Sequence, residues 1–111
     1  MQAISGVSQL IAEVKAFLRE GRRVYRASIY GERRPDGRWE AWLEFTDAKS
    51  GDRALTATET TQHDLRQLRR WASGLTPGYV EGAFARARRR YGRFAPAGLA
   101  RRRPRRTTER S

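Results

Sequence analysis

The 111-residue sequence predicts a two-layer α+β domain, with helices covering one face of a three-stranded antiparallel sheet in the order α-β-β-β-α-α, followed by a disordered basic tail. Three observations lead there. Residues 8–20, "SQLIAEVKAFLRE", space their apolar side chains at helical intervals; residues 22–61 alternate with the period of strands around one sharp turn signal; residues 61–91 return to helical spacing.

In the first segment Leu10, Val14, Phe17 and Leu18 fall on one helical stripe, with Ser8 suited to the N-cap and Gly21 to the C-terminal stop, so a helix is expected over 8–20. The stretch "RRVYRASIYGERRPDGRWEAWLEFTD" then reads as a hairpin, because Pro35-Asp36-Gly37 suits a type I turn followed by a left-handed glycine. A three-residue loop over 35–37 sets Arg34 against Arg38. Counting outward, Gly31 meets Ala41, Ile29 meets Leu43 and Ala27 meets Phe45, an apolar face completed by Trp39. On the other face Tyr30 meets Trp42, Ser28 meets Glu44 and Glu32 meets Glu40. A slip of one residue mixes apolar with polar partners throughout, so the turn and the patterning agree.

After the turn "DAKSGD", the run "RALTATETT" is expected as the third strand, with Leu55 and Ala57 inward and Thr56, Thr58 and Thr60 outward. Thr61 and Asp64 open a second helix whose buried stripe is Leu65, Leu68, Trp71 and Ala72 and which Gly74 stops. Thr76-Pro77 starts a third helix, with Val80, Ala83, Phe84, Ala87 and Tyr91 on one side. Residues 1–94 are thus expected as one domain. From Gly92 onward two prolines, two glycines, few apolar residues and dense like charge predict disorder over 95–111.

The absence of cysteine excludes disulfides, a thiol nucleophile and thiolate zinc sites, and fits a cytoplasmic location. The N-terminus lacks a basic region leading into an unbroken apolar run, and no stretch approaches the roughly 18 apolar residues of a membrane span, so the chain is read as soluble and unprocessed. The net charge of +12 is unevenly spread. Residues 1–85 hold 13 Lys+Arg against 11 Asp+Glu, while residues 86–111 hold 11 arginines against Glu109 alone.

That basic run comprises Arg86, Arg88, Arg89, Arg90 and Arg93, then Arg101, Arg102, Arg103, Arg105, Arg106 and Arg110, with Tyr91 and Phe94 interleaved. Such a segment is drawn to a phosphate backbone through counterion release, and interleaved rings can stack on exposed bases, so a non-specific DNA or RNA contact is expected. A solubility tail and an anionic surface or acidic partner are the alternatives. Arg33, Arg34 and Arg38 cluster at the hairpin tip, where they extend the same footprint or form an ordinary solvated loop. Tyr30 and Trp42 make an aromatic pair with Glu32, Glu40 and Glu44 around it, and those carboxylates repel phosphate. The pair therefore reads as an exposed protein contact, a homodimer or a peptide groove, as a surface covered by the third helix, or as a stacking platform.

Nothing supports catalysis, and no cofactor or metal is expected. His63 is the single histidine, no GxSxG motif occurs, "GERRPDG" lacks the lysine and following helix of a phosphate loop, and Glu32 and Glu40 have arginines at hand for ion pairing. The expected protein is non-enzymatic.

The element order over residues 8–73 resembles that of double-stranded RNA-binding domains. The places where that family carries its lysine cluster and loop histidine read "TTQHDLRQL" and "ERRPDGR" here. The stretches "GRWEAWLEF", "ETTQ", "RRWASGL" and "YVEGAFARA", within about residues 22–87, resemble a group of small bacterial proteins of unknown function. That resemblance implies a folded unit distinct from the basic tail.

Overall fold

The computed structural model describes residues 8–91. The strands are β1 (Ser8–Glu20), β2 (Arg23–Arg33), β3 (Trp39–Asp47), β4 (Arg53–Leu55) and β5 (Thr60–Gln62), followed by helices α1 (Leu65–Ser73) and α2 (Pro77–Tyr91). They build a five-stranded antiparallel sheet in the order β1-β2-β3-β4, with β5 pairing β3 on the edge shared with β4. Both helices contact the sheet and contribute to one apolar core. The α+β class holds in broad terms. The three-stranded sheet and the α-β-β-β-α-α order do not.

The first correction is the expected helix over 8–20, which is the longest strand. Its ladder with β2 shifts between Leu10 and Ala12 and again between Glu13 and Phe17. Extra residues at such bulges stretch a period-2 pattern into spacings of three and four, and those spacings imitate a helical stripe. The bulges place Leu10 beside Tyr30 and Phe17 beside Arg26 on one face, and Ala12 beside Ile29 and Leu18 beside Tyr25 on the other. Gly21 is not a helix stop. With φ of 62° it occupies the first position of a two-residue loop closed by the Glu20–Arg23 pair, a conformation that favours glycine. The helix-first element order expected over residues 8–73 therefore does not occur.

The β2–β3 register is the predicted one at every named pair from Ala27–Phe45 to Glu32–Glu40. Arg34 N–H donates to the Arg38 carbonyl at 2.7 Å, Gly37 has φ of 91°, and Asp36 Oδ1 accepts from Arg38 N–H at 2.9 Å. The β3–β4 turn is held the same way: Asp47 Oδ1 accepts from Lys49 N–H at 2.8 Å and Ser50 N–H at 3.2 Å. Those donors, that of Lys49 foremost, keep the Asp47 carboxyl below its ordinary range.

The second correction concerns the predicted third strand, which breaks into β4 and β5 with residues 56–59 bulging between them. The ladder survives there through a side chain. Thr56 N–H donates to the Leu43 carbonyl at 2.9 Å, Leu43 N–H donates to Thr56 Oγ1 at 3.0 Å, and that hydroxyl donates to the Ala57 carbonyl at 2.7 Å. Ala54, paired with Phe45, takes the inward place; Leu55 turns to the opposite face and packs against Trp42, and Ala57 is exposed.

Asp64 caps α1 by accepting from Gln67 N–H at 2.9 Å, and Thr76 Oγ1 accepts from Tyr79 N–H at 3.1 Å at the start of α2. Leu68 and Ala72 of α1 and Val80, Ala83 and Ala87 of α2 close over Ala27, Ile29, Ala41, Leu43 and Phe45. Phe84 adds ring contacts at 5.0 Å to Tyr25 and 5.2 Å to Phe45.

Gly31 lies where a Cβ would come within 2.8 Å of Leu68 Cδ2 and 3.0 Å of Ile11 Cγ1. Gly31→Ala is expected to overpack this site and lower stability by about 1–3 kcal/mol. Thr56→Val keeps the shape but removes the acceptor for Leu43 N–H, and is expected to cost about 1–3 kcal/mol. Urea unfolding of each variant measures both losses, and a change below about 0.5 kcal/mol contradicts the close approach or the bond concerned.

Candidate nucleic-acid interface

The two layers differ in charge. Residues 8–64, which form the sheet, hold ten Lys+Arg against ten Asp+Glu; residues 65–91, which form the helices, hold seven arginines against Glu81. The described sheet is neutral and the helix layer carries +6, so the basic character begins inside the folded body.

Part of that surface comes from residues to which sequence reasoning gave no role. Arg66, Arg69 and Arg70 stand at i, i+3 and i+4 along α1, opposite Leu68 and Ala72, and all three are exposed. Their spacing was readable as a signal once Leu65, Leu68, Trp71 and Ala72 were placed inward. Arg89 and Arg90 are exposed in the last turn of α2.

The other α2 arginines are engaged within the body. Arg86 Nη2 lies 2.6 Å from Glu59 Oε1, its Nε donates to Glu59 Oε2 at 3.4 Å, and its guanidinium sits 5.6 Å from the centre of the Tyr79 ring. Tyr79 O–H donates to Glu59 Oε1 at 2.6 Å, and Trp71 meets the Tyr79 ring edge-on at 6.0 Å. This cluster ties α2 to the bulge between β4 and β5 and to α1. Burial, then the bond to Glu59, pushes the Tyr79 hydroxyl up to about 12. Arg88 pairs with Glu20 at the β1–β2 loop. Arg86 and Arg88, which the sequence groups with the phosphate-contacting residues, thus also tie α2 to the periphery of the sheet.

At the hairpin tip, Arg33 and Arg38 are exposed, whereas Arg34 is paired with Asp36 at 3.3 Å. Hydrogen bonding from Arg38 N–H, aided by Arg34, holds the Asp36 carboxyl below its ordinary range. Arg93, Arg101, Arg102, Arg103, Arg105, Arg106 and Arg110, and the tail expected over 95–111, lie outside the described residues.

Tyr30 and Trp42 stack as the register requires, with centroids 6.5 Å apart and planes at 20°. Trp42 is not exposed, however: it retains 1 % of its surface and forms a second small core with Leu55, beside half-buried Tyr30. The cover comes from the β4–β5 side of the sheet and not from a helix. Thr58, in the bulge, donates to buried Glu40 on the same face at 3.3 Å. Glu44 is buried there as well; burial raises its pKa, and Arg53 at 3.3 Å opposes the rise. A tryptophan so enclosed contributes to folding and offers no surface to a partner.

No group of His, Cys, Asp and Glu side chains among the described residues is placed to hold a metal ion, and His63 is exposed. No helix among them is long and apolar enough to cross a membrane.

Arg86→Ala removes the cation from a Glu59 side chain that is only 9 % exposed, and is expected to lower stability by about 1–2 kcal/mol, the half-exposed guanidinium limiting the loss. Tyr79 has a folded pKa above its ordinary value near 10, so its proton contributes stability in full below pH 10. That contribution disappears as pH rises toward 12. Thermal unfolding followed across this window is expected to fall less steeply for Tyr79→Phe than for the parent; equal slopes contradict the assignment.

Searches of protein-family models, curated proteins and solved structures find no match to this chain.

Proposed function

We propose that the protein is a non-enzymatic nucleic-acid-associated protein that contacts the phosphate backbone through the arginines of its helix layer and of the segment that follows it. The observation carrying this reading is the segregation of charge: seven arginines against one carboxylate in the helices, beside a sheet of net charge zero. Arg66, Arg69 and Arg70 form an exposed stripe on α1, and Arg89 and Arg90 extend the basic surface at the end of α2. The chain then continues into Arg93 and the arginines of 101–110.

Guanidinium groups bind phosphate oxygens through fixed, forked donors, and each neutralised phosphate releases condensed counterions. Recognition of this type follows backbone charge and not base identity. The buried glutamates opposite the helices leave the sheet's other face a poor surface for a polyanion. Arg33 and Arg38 at the hairpin tip supply a second, smaller basic point.

The test is fluorescence anisotropy with duplex and single-stranded DNA and RNA at two salt concentrations. Arg66, Arg69 and Arg70 changed together to Ala are expected to reduce the log–log salt slope by about 2–3 and the affinity by at least about tenfold at low salt. The melting temperature is expected to stay near that of the parent, because the three side chains are exposed. Deletion of residues 95–111, which removes six arginines, is expected to abolish most of the remaining affinity. Unchanged slope and affinity in the triple variant contradict a role for the helix face; unchanged binding in the deletion contradicts a role for the tail.

A further inference from the structure

The neutral total of the sheet conceals an uneven distribution along it. At the end where the β1–β2 loop, the β3–β4 turn and the last turn of α2 meet, residues 19–23, 47–52 and 88–90 hold seven cations against Glu20, Asp47 and Asp52. Two contacts bring these segments together: Ala48 N–H donates to the Val24 carbonyl at 2.8 Å, and Arg88 pairs with Glu20. Between the loop and the turn opens a recess of about 560 Å³ lined by Arg22, Arg23 and Lys49, with Val24 and Ala48 among its walls. Toward α2, Arg88 and Arg89 line a second recess with Glu20 and Phe84.

The carboxylates at this end are already engaged. Glu20 is paired with Arg88. Asp47, the one carboxylate lining the larger recess, has a side chain only 6 % exposed; it accepts from Lys49 N–H and Ser50 N–H and lies 3.6 Å from Arg23. Asp52 also acts on Arg23, more weakly than Asp47 does. Arg22 and Lys49 are exposed and make no ion pair among the described residues. The recess therefore presents cations to solvent with its own acid turned inward.

We propose that this recess holds a backbone phosphate of a nucleic-acid strand between Arg22 and Lys49, with Arg23 at its edge, and that the strand continues past Arg89 to the arginine-rich segment following α2. The inference rests on the phosphate-binding reading and deepens it, giving the strand a built site on the body, formed by residues distant in sequence. A guanidinium fork and an ammonium on opposite sides match the several acceptor oxygens of one phosphate. The volume falls within the roughly 300–1,000 Å³ of small-ligand sites, so a phosphate fits together with its sugar against Val24 and Ala48. A concave site favours such a chain over a flat membrane, which meets protruding surface first. Arg88 fixes the last turn of α2 beside the β1–β2 loop, and the chain carries on three residues later from Tyr91 toward Arg93. Recess and following segment thus act on the same strand, and binding at one raises the local concentration at the other.

Fluorescence anisotropy of the full chain with a single strand of about 12 nucleotides, at two salt concentrations, tests it. Arg22→Gln combined with Lys49→Gln is expected to lower the log–log salt slope by about 1–1.5 and the low-salt affinity at least about fivefold. Melting is expected to stay near that of the parent, because both side chains are exposed. Lys15→Gln with Arg26→Gln removes the same charge from exposed positions that line a recess with Tyr30, and is expected to change the slope by less than about 0.5. In the parent, the amide resonances of Arg22, Lys49 and Ser50 are expected to shift when the strand is added. A double variant indistinguishable from the Lys15 and Arg26 control, or shifts confined to the helices, overturns the proposal and leaves the phosphate-binding reading in place. A parent that binds neither single strand nor duplex overturns both. A parent that ignores nucleic acid but binds vesicles of phosphatidylcholine and phosphatidylserine through Arg22 and Lys49 makes the recess a lipid-headgroup site, and overturns both as well.

Discussion

The pairing of β2 with β3 is the constraint on which the rest of the structure depends. The three-residue loop closed between Arg34 and Arg38 fixes which residues stand opposite one another, and through the pleat it fixes which face each one joins. Ala27, Ile29, Ala41, Leu43 and Phe45 are thereby gathered on one side, and the helices dock there because no other surface can bury Leu68, Val80 and Ala83 as well. A slip of one residue brings Glu40 and Glu44 under the helices. Two carboxylates facing an apolar layer without partners is a far worse arrangement than any loss in the turn.

Helix docking in turn sorts the arginines. Once the apolar stripe of α1 faces the sheet, Arg66, Arg69 and Arg70 have only the solvent side, and their charge adds to that of α2. In α2 the same residue type serves two purposes. Arg86 and Arg88 reach Glu59 and Glu20 and fasten the helix to the sheet's periphery, while Arg89 and Arg90 point outward. Carboxylates distant in sequence therefore determine which arginines of the basic run are ion-paired within the body. The opposite face follows a different logic. Its tryptophan is enclosed by Leu55 and Tyr30, and what remains open is the apolar edge contributed by β1.

The hairpin was legible because its two signals, the Pro-Asp-Gly turn and strict alternation, are local and point to one register. The cap at Thr76 was legible for the same reason, joining a side chain to a backbone N–H three residues away, whereas the helix start read at Thr61 falls at Asp64, which is itself the cap. Residues 8–20 were not. Their apolar spacing fits a helix when the segment is considered alone, and only pairing with β2 shows that bulges produce it. The break in the third strand was equally hidden, because Thr56 has the same strand preference whether its hydroxyl faces solvent or replaces a carbonyl in the ladder. Of the candidate interface, the arginine run was visible in the sequence; the division of its members between tether and surface was not.

The amino-acid order by itself determined the central register, the two helices with the cap at Thr76, and the concentration of positive charge toward the C-terminus, all set by signals local in sequence. The tertiary structure decided that the first segment is a strand, that Trp42 is enclosed, that Arg86 and Arg88 are held by Glu59 and Glu20, and that the arginines of both helices belong to one layer above a neutral sheet. These outcomes rest on pairings between residues far apart in the chain. Their energies depend on burial and on partner geometry, which local propensity does not encode.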